Sequence, residues 1–204
     1  ALVAPDLRGR GRSRGLGGPR GLAAHIDDLR RVLDVLGLER VRLAGHGVGA
    51  LVAALVAERH ADRVSGLVLV GPVTAPPADP ERDLGRVFRS REEHQQAWRG
   101  HAGLDGSWNR LVGGMVAHDA VGDEPEVRSG LDWQAVGADL RDVRAGEPTG
   151  LGAGAVPAVR VVPDEGSAVA AEEATVRVVG ASHWALLLGL RGADAVTRAL
   201  LRVG

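Results

Sequence analysis

The stretch from Val41 to Gly71, VRLAGHGVGALVAALVAERHADRVSGLVLVG, constrains the fold more than any other part of the chain. RVRLAG, from Arg40, has the character of a strand. Gly45, Gly47 and Gly49 then cluster, and VGALVAALVAERH follows as a helix apolar nearly all round. A helix without a polar face has to be buried. Val64 to Gly71 is a near-continuous apolar run, the pattern of a parallel strand covered on both faces. Upstream, the spacing predicts a helix over 23–37, with Ile26, Leu29, Leu33 and Leu36 on one face. Asp27, Asp28, Arg30, Arg31 and Asp34 lie largely off it, and Gly37 is a C-terminal stop. Ala1 to Pro5 reads as a short buried strand. VPAVRVVP and ATVRVVG read as further strands, and GADAVTRALLRV as a closing helix. The expected fold class is therefore α/β, a mostly parallel sheet flanked by helices.

At 204 residues the chain can hold one core and a small inserted subdomain. The interval 74–154 is polar and helical in patches, and contains Trp98, Trp108 and Trp133. It reads as an inserted helical cap, with 1–73 and 155–204 forming the core. A net charge of −1 gives no reason to expect nucleic acid or an anionic membrane as partner. The chain has no cysteine, which excludes disulfides, thiolate metal sites and a cysteine nucleophile. No apolar run approaches the roughly 20 residues needed to span a bilayer. The expected location is the cytoplasm, the expected partner is a small-molecule substrate or ligand, and no cofactor or metal is implied. The oligomeric state is not readable. Every basic residue except histidine is arginine, Asn109 is the only asparagine, and tyrosine is absent, a pattern of GC-rich coding more than of arginine chemistry. The Gly/Arg stretch DLRGRGRSRGLGGPRG reads accordingly as a solvated or locally ordered turn. The opening ALVAPD, a strand-like run without Met, reads as a fragment or a shortened form.

The glycine cluster permits three readings. Gly45, Gly47 and Ala50 satisfy G-x-G-x-x-A between a strand and a helix, as in a dinucleotide-binding loop. That loop requires an acidic residue at the end of the next strand, and LVLVGPVTAPP has none. The second reading is a nucleophile elbow, G-x-S-x-G, with Gly47 in place of the serine. The third is turn geometry alone, since glycine adopts a strained turn at little cost.

Several segments, in order, decide for the frame of the elbow. APDLRGRGRS, HIDDLRRVLDVLGLERVRLAGHGVGA, GLVLVGP and VVGASHWALLLG together resemble the α/β-hydrolase family. The resemblance implies that His183 is the catalytic histidine and that the backbone N–H of Val48 donates to an oxyanion. It implies an acid after the penultimate strand, where VVPDEGSA puts Gly166 at the aligned position and Asp164 or Glu165 nearby. It also implies leading strands and a second oxyanion loop that should precede Ala1. The departures imply a degenerate triad: without a hydroxyl, Gly47 cannot form an acyl-enzyme, while His183 could still act as general base on water or in lyase, isomerase or cyclase chemistry. His46 beside the elbow reads as a packing or hydrogen-bonding residue at the rim of the substrate site. Trp98, Trp108, Trp133 and Trp184 are candidates to line an apolar substrate pocket. The alternatives are a catalytically inactive ligand- or partner-binding pseudoenzyme, and an ester-type hydrolase using a nucleophile outside the elbow, for which Ser107 and Ser182 are available.

Overall fold

The computed structural model describes residues 1–72, 85–101, 104, 108–145, 156–164, 175–181, 183 and 185–203. Four strands, β1 (Val41–His46), β2 (Val64–Val70), β6 (Ala158–Pro163) and β7 (Thr175–Val178), form an all-parallel sheet in the order β1-β2-β6-β7. β2 pairs with β1 on one side (Leu43 opposite Leu67) and with β6 on the other (Val70 opposite Val161). Side chains alternate between the faces of a strand, and both faces of β2 are covered. Leu67 and Leu69 enter one apolar cluster, with Leu22, Ile26, Leu55 and Val56. Val68 and Val70 enter a second, with Val161, Val178, Leu186 and Ala199. This is why the sequence of β2 runs apolar without interruption.

Helix α2 (Val48–Arg59) lies against β1 and β2, and every residue from Ala50 to Ala57 is buried. Helix α1 (Leu22–Val35) packs on α2 and is two-sided: Leu22, Ile26 and Leu33 are buried, Asp27, Arg31 and Asp34 exposed. It ends in a Schellman motif. Gly37, at φ 64°, donates its N–H to Asp34 O, and Leu38 N–H donates to Leu33 O. Leu36 therefore falls at the cap and is half exposed, not on the buried face expected of it. On the opposite side of the sheet, helix α7 (Leu190–Arg202) covers β2, β6 and β7, preceded by the single turn α6 (Ala185–Leu188). A Cβ on Gly66 of β2 would stand 2.0 Å from the carbonyl oxygen of Val203, so glycine there sets how closely the end of α7 approaches the sheet.

One expectation is corrected. Ala1 to Pro5 forms no strand; Leu2 is 92% exposed. An apolar run becomes a strand only beside a neighbour, and among the described residues β1 pairs with β2 alone. The interval between β2 and β6 holds helices, as its patches of helical sequence imply, and short strands as well. Beside α3 (Arg91–Arg99), α4 (Arg110–Asp119) and α5 (Trp133–Arg144), the short strands β3 (Val87–Phe88), β4 (Ala120–Val121) and β5 (Val127–Ser129) form an antiparallel sheet in the order β3-β5-β4. Each helix starts at a side-chain cap, from Ser90, Asn109 and Asp132 respectively.

The last of these helices is fastened to the core. Buried Asp139 of α5 accepts from His25 Nε2 at 3.0 Å, and its second oxygen lies 2.6 Å from Arg10. Asp142 accepts from Leu22 N–H at 2.8 Å, and Asp132 N–H donates to Gly9 O. The Gly/Arg loop is ordered by the same means, Arg8 holding Asp28 at 2.6 and 2.9 Å. Removing one partner of a buried ion pair leaves the others uncompensated. Asp139→Ala is expected to cost about 3 kcal/mol, read as a lowered urea midpoint at unchanged slope.

Candidate functional site

The site forms where β1 and β2 end, the usual place for a ligand crevice in an open parallel sheet. β1 runs into Gly47, whose φ of 58° and ψ of −120° turn the chain sharply into α2. Glycine takes this conformation readily; other residues are strained there. The turn is pinned to the sheet, since Gly47 N–H donates to Val70 O at 3.0 Å. Gly45 serves a different purpose: a Cβ there would lie 2.0 Å from the carbonyl oxygen of Gly49, so its absence lets the helix begin directly over the strand. Gly49 itself has open space where a Cβ would stand. Val48, the first helical residue, presents its N–H at the α2 N-terminus, where the partial positive charge of a helix is concentrated.

His183 arrives from the far end of the chain. Its ring lies 4.4 Å, centroid to centroid, from that of His46. His46 Nε2 is 3.0 Å from the backbone carbonyl of His183. A carbonyl oxygen only accepts, so Nε2 carries the proton and donates. The elbow residue thus grips the loop that carries the second histidine. Burial pushes the His46 pKa down, with the bond to His183 opposing it. His183 is pushed down to about 4, first by burial and then by the His46 ring beside it. Both imidazoles are neutral at pH 7.

The other residues singled out in the sequence lie as follows. Asp164, at the end of β6, is exposed, and its carboxylate makes no hydrogen bond or ion pair among the described residues; only its backbone is engaged, by Val178 O and Arg177. Glu165, Gly166, Trp184, Ser107 and Ser182 lie outside the described residues. Trp98 and Trp108 pack on Leu104, Val112 and Val116 as the core of the α3–α4 pair, with the Trp98 indole N–H donating to His94 at 3.1 Å. Trp133 is the first residue of α5 and is half exposed. None of these three is brought to the elbow by a described contact. The sequence reading missed Gly71, which follows β2 at φ 46° and lies under the His183 ring. A cleft of about 610 Å³ between the 4–16 loop and α1 includes neither His46 nor His183. Among the described residues no three His, Asp or Glu side chains gather as a metal site would require.

The profile of the alpha/beta hydrolase fold family matches residues 1–108, more than half of the chain. The chain belongs to the α/β-hydrolase fold family. Among curated relatives of this α/β-hydrolase-fold protein, one from Caulobacter sp. (strain K31), named provisionally as the carbamate hydrolase RutD, is 40% identical over 91 residues, 44% of this chain and 32% of the relative. Epoxide hydrolase 2 of Siraitia grosvenorii is 41% identical over 68 residues, covering 32% of this chain and 22% of the plant protein. The chain thus spans a third or less of the length of these relatives in the matched stretch. Among solved structures, a marine microorganism esterase superposes with a TM-score of 0.67 at 17% identity, covering 96% of this chain and 82% of the esterase. At that identity the likeness establishes the fold.

The histidine shifts set a pH dependence. Unfolded imidazoles titrate near 6.5, whereas burial lowers His46, His94 and His183 in the folded chain. Below pH 6.5 the unfolded state takes up protons that the folded state refuses, so stability is full above 6.5 and falls toward pH 4. Denaturant midpoints measured from pH 7.5 to 4.5 are expected to fall steadily, and His183→Gln to flatten part of that slope.

Proposed function

We propose that the ends of β1 and β2 form a serine-less active site of hydrolase descent, in which His183 is the general base acting on a small apolar organic substrate. The observation that supports this most directly is a neutral, partly buried imidazole beside a strand-to-helix turn with glycine at its centre. A glycine offers no hydroxyl, so no acyl-enzyme forms and the chemistry is limited to moving protons. His183 takes a proton from water, or from the substrate in a lyase, isomerase or cyclase reaction. The Val48 N–H, at the mouth of α2, supports negative charge as it develops.

The low pKa has two consequences. At neutral pH His183 is always in its accepting form, and it is a weaker base than an ordinary histidine. The substrate therefore has to bring reactivity of its own, an acidic C–H or an activated electrophile. Related proteins carry the names of a carbamate hydrolase, an epoxide hydrolase and an esterase, which favours attack by water as the first reaction to test. In this reading the segment 74–154 acts as the cap over the site. A second reading, a ligand-binding pseudoenzyme, draws support from the exposed Asp164 carboxylate, which makes no hydrogen bond or ion pair among the described residues.

Three proteins separate these readings: the wild type, His183→Ala and Gly47→Ser. The wild type is expected to resist a fluorophosphonate probe, and Gly47→Ser to accept it, at a folding cost of about 1–2 kcal/mol for a side chain in the left-handed turn. Turnover of activated carbamates, epoxides and aryl esters by the wild type is expected to drop about 10²- to 10⁴-fold in His183→Ala. Labelling of the wild type at any serine overturns the serine-less mechanism, and turnover that survives His183→Ala overturns the base.

A further inference from the structure

We propose that Gly71 and His46 together form a seat that fixes the orientation of the His183 imidazole, which makes both of them positioning residues for the proton transfer assigned to His183. The idea rests on that functional reading for its purpose, and on geometry alone for its content.

Gly71 is the first residue past β2, and its N–H donates to Val161 O at 2.8 Å, so its backbone is tied to the sheet. A Cβ built on it would stand 2.9 Å from His183 Nδ1, 3.3 Å from Cε1 of the same ring, and 3.1 Å from Leu186 Cδ1. Leu186 is fully buried in the cluster formed by β2, β6 and α7, so it has nowhere to go. The ring of His183 is the neighbour that would move. The φ of 46° at Gly71 is a second reason for glycine, since a side chain there is strained whatever the space.

His46 acts from the other side. Its ring packs on that of His183 at an angle of 41°, and its Nε2–H holds the His183 carbonyl at 3.0 Å. The two contacts are complementary. The hydrogen bond fixes the backbone from which the ring projects, and the bare Cα of Gly71 leaves the space into which it projects. Residues from the ends of two neighbouring strands thus meet a loop 137 positions away from His46. Neither contact requires His183 to turn over a substrate, so the seat can be tested by itself.

The test is an NMR titration of ring-labelled histidines in the full chain, without substrate, for the wild type, His46→Leu, His46→Gln and Gly71→Ala, each checked for a cooperative thermal melt. Wild-type His183 is expected to titrate near 4. Both His46 variants lose the neighbouring ring, but only Gln keeps an N–H donor at the reach of Nε2. His46→Leu is therefore expected to raise the His183 midpoint by about one pH unit or more, as the loop loosens and the ring gains water. His46→Gln is expected to raise it clearly less. Gly71→Ala is expected to raise it as well, by displacing the ring. Leu and Gln variants that titrate together overturn the tether, and a folded Gly71→Ala that titrates like the wild type overturns the seat. Should Gly71→Ala fail to melt cooperatively, the His46 pair decides the matter. A His183→Ala protein with unchanged turnover would refute the general base while leaving these midpoints as they are, so the two failures are distinguishable.

Discussion

Strand β2 is buried on both faces and hydrogen-bonded along both edges, and the candidate site depends on that double commitment. Its Leu67 and Leu69 hold α1 and α2 on one side, and its Val68 and Val70 hold the C-terminal helices on the other. Its last carbonyl, on Val70, accepts the N–H of Gly47. Its successor, Gly71, lies beneath His183. The N-terminal and C-terminal parts of the chain therefore reach one another through a strand that can shift only by disrupting two apolar clusters together. Close-packed interiors resist that kind of displacement, which is what a site built from distant residues requires.

The electrostatics of the site follow from the same burial. Two imidazoles at 4.4 Å cannot both be charged without strong repulsion, and desolvation already disfavours the first charge. The pair settles as two neutral rings, one donating to the other's backbone.

Much of this was legible in the residues, for identifiable reasons. The glycine spacing of AGHGVG, the helix without a polar face and the unbroken apolar run of Val64–Val70 each record a packing constraint, and together they imply the βαβ unit. Gly37 announced its helix end because only a left-handed residue closes that motif. Other features left no trace. The strands β3, β4 and β5 are two or three residues long, too short to show a period of two, and they form because the chain returns on itself. Residues 1–5 had the composition of a strand and, among the described residues, no neighbour to pair with. Trp98 and Trp108 fill a small core, a placement that the sequence leaves open beside pocket lining, since composition does not say which way an indole faces. Gly71 read as the end of a strand; its second purpose depends on His183, which no local pattern connects to it. The Asp139–His25–Arg10 contact joins residues more than 110 positions apart for the histidine alone, beyond the reach of any spacing argument.

That contact also governs motion. Asp132 binds Gly9, Asp139 binds Arg10 and His25, and Asp142 binds Leu22, so α5 is attached to the first loop and to α1 along its whole length. Releasing it would leave Asp139 uncompensated away from water. Any displacement of α5 from the first loop and α1 would therefore have to break all of these contacts together.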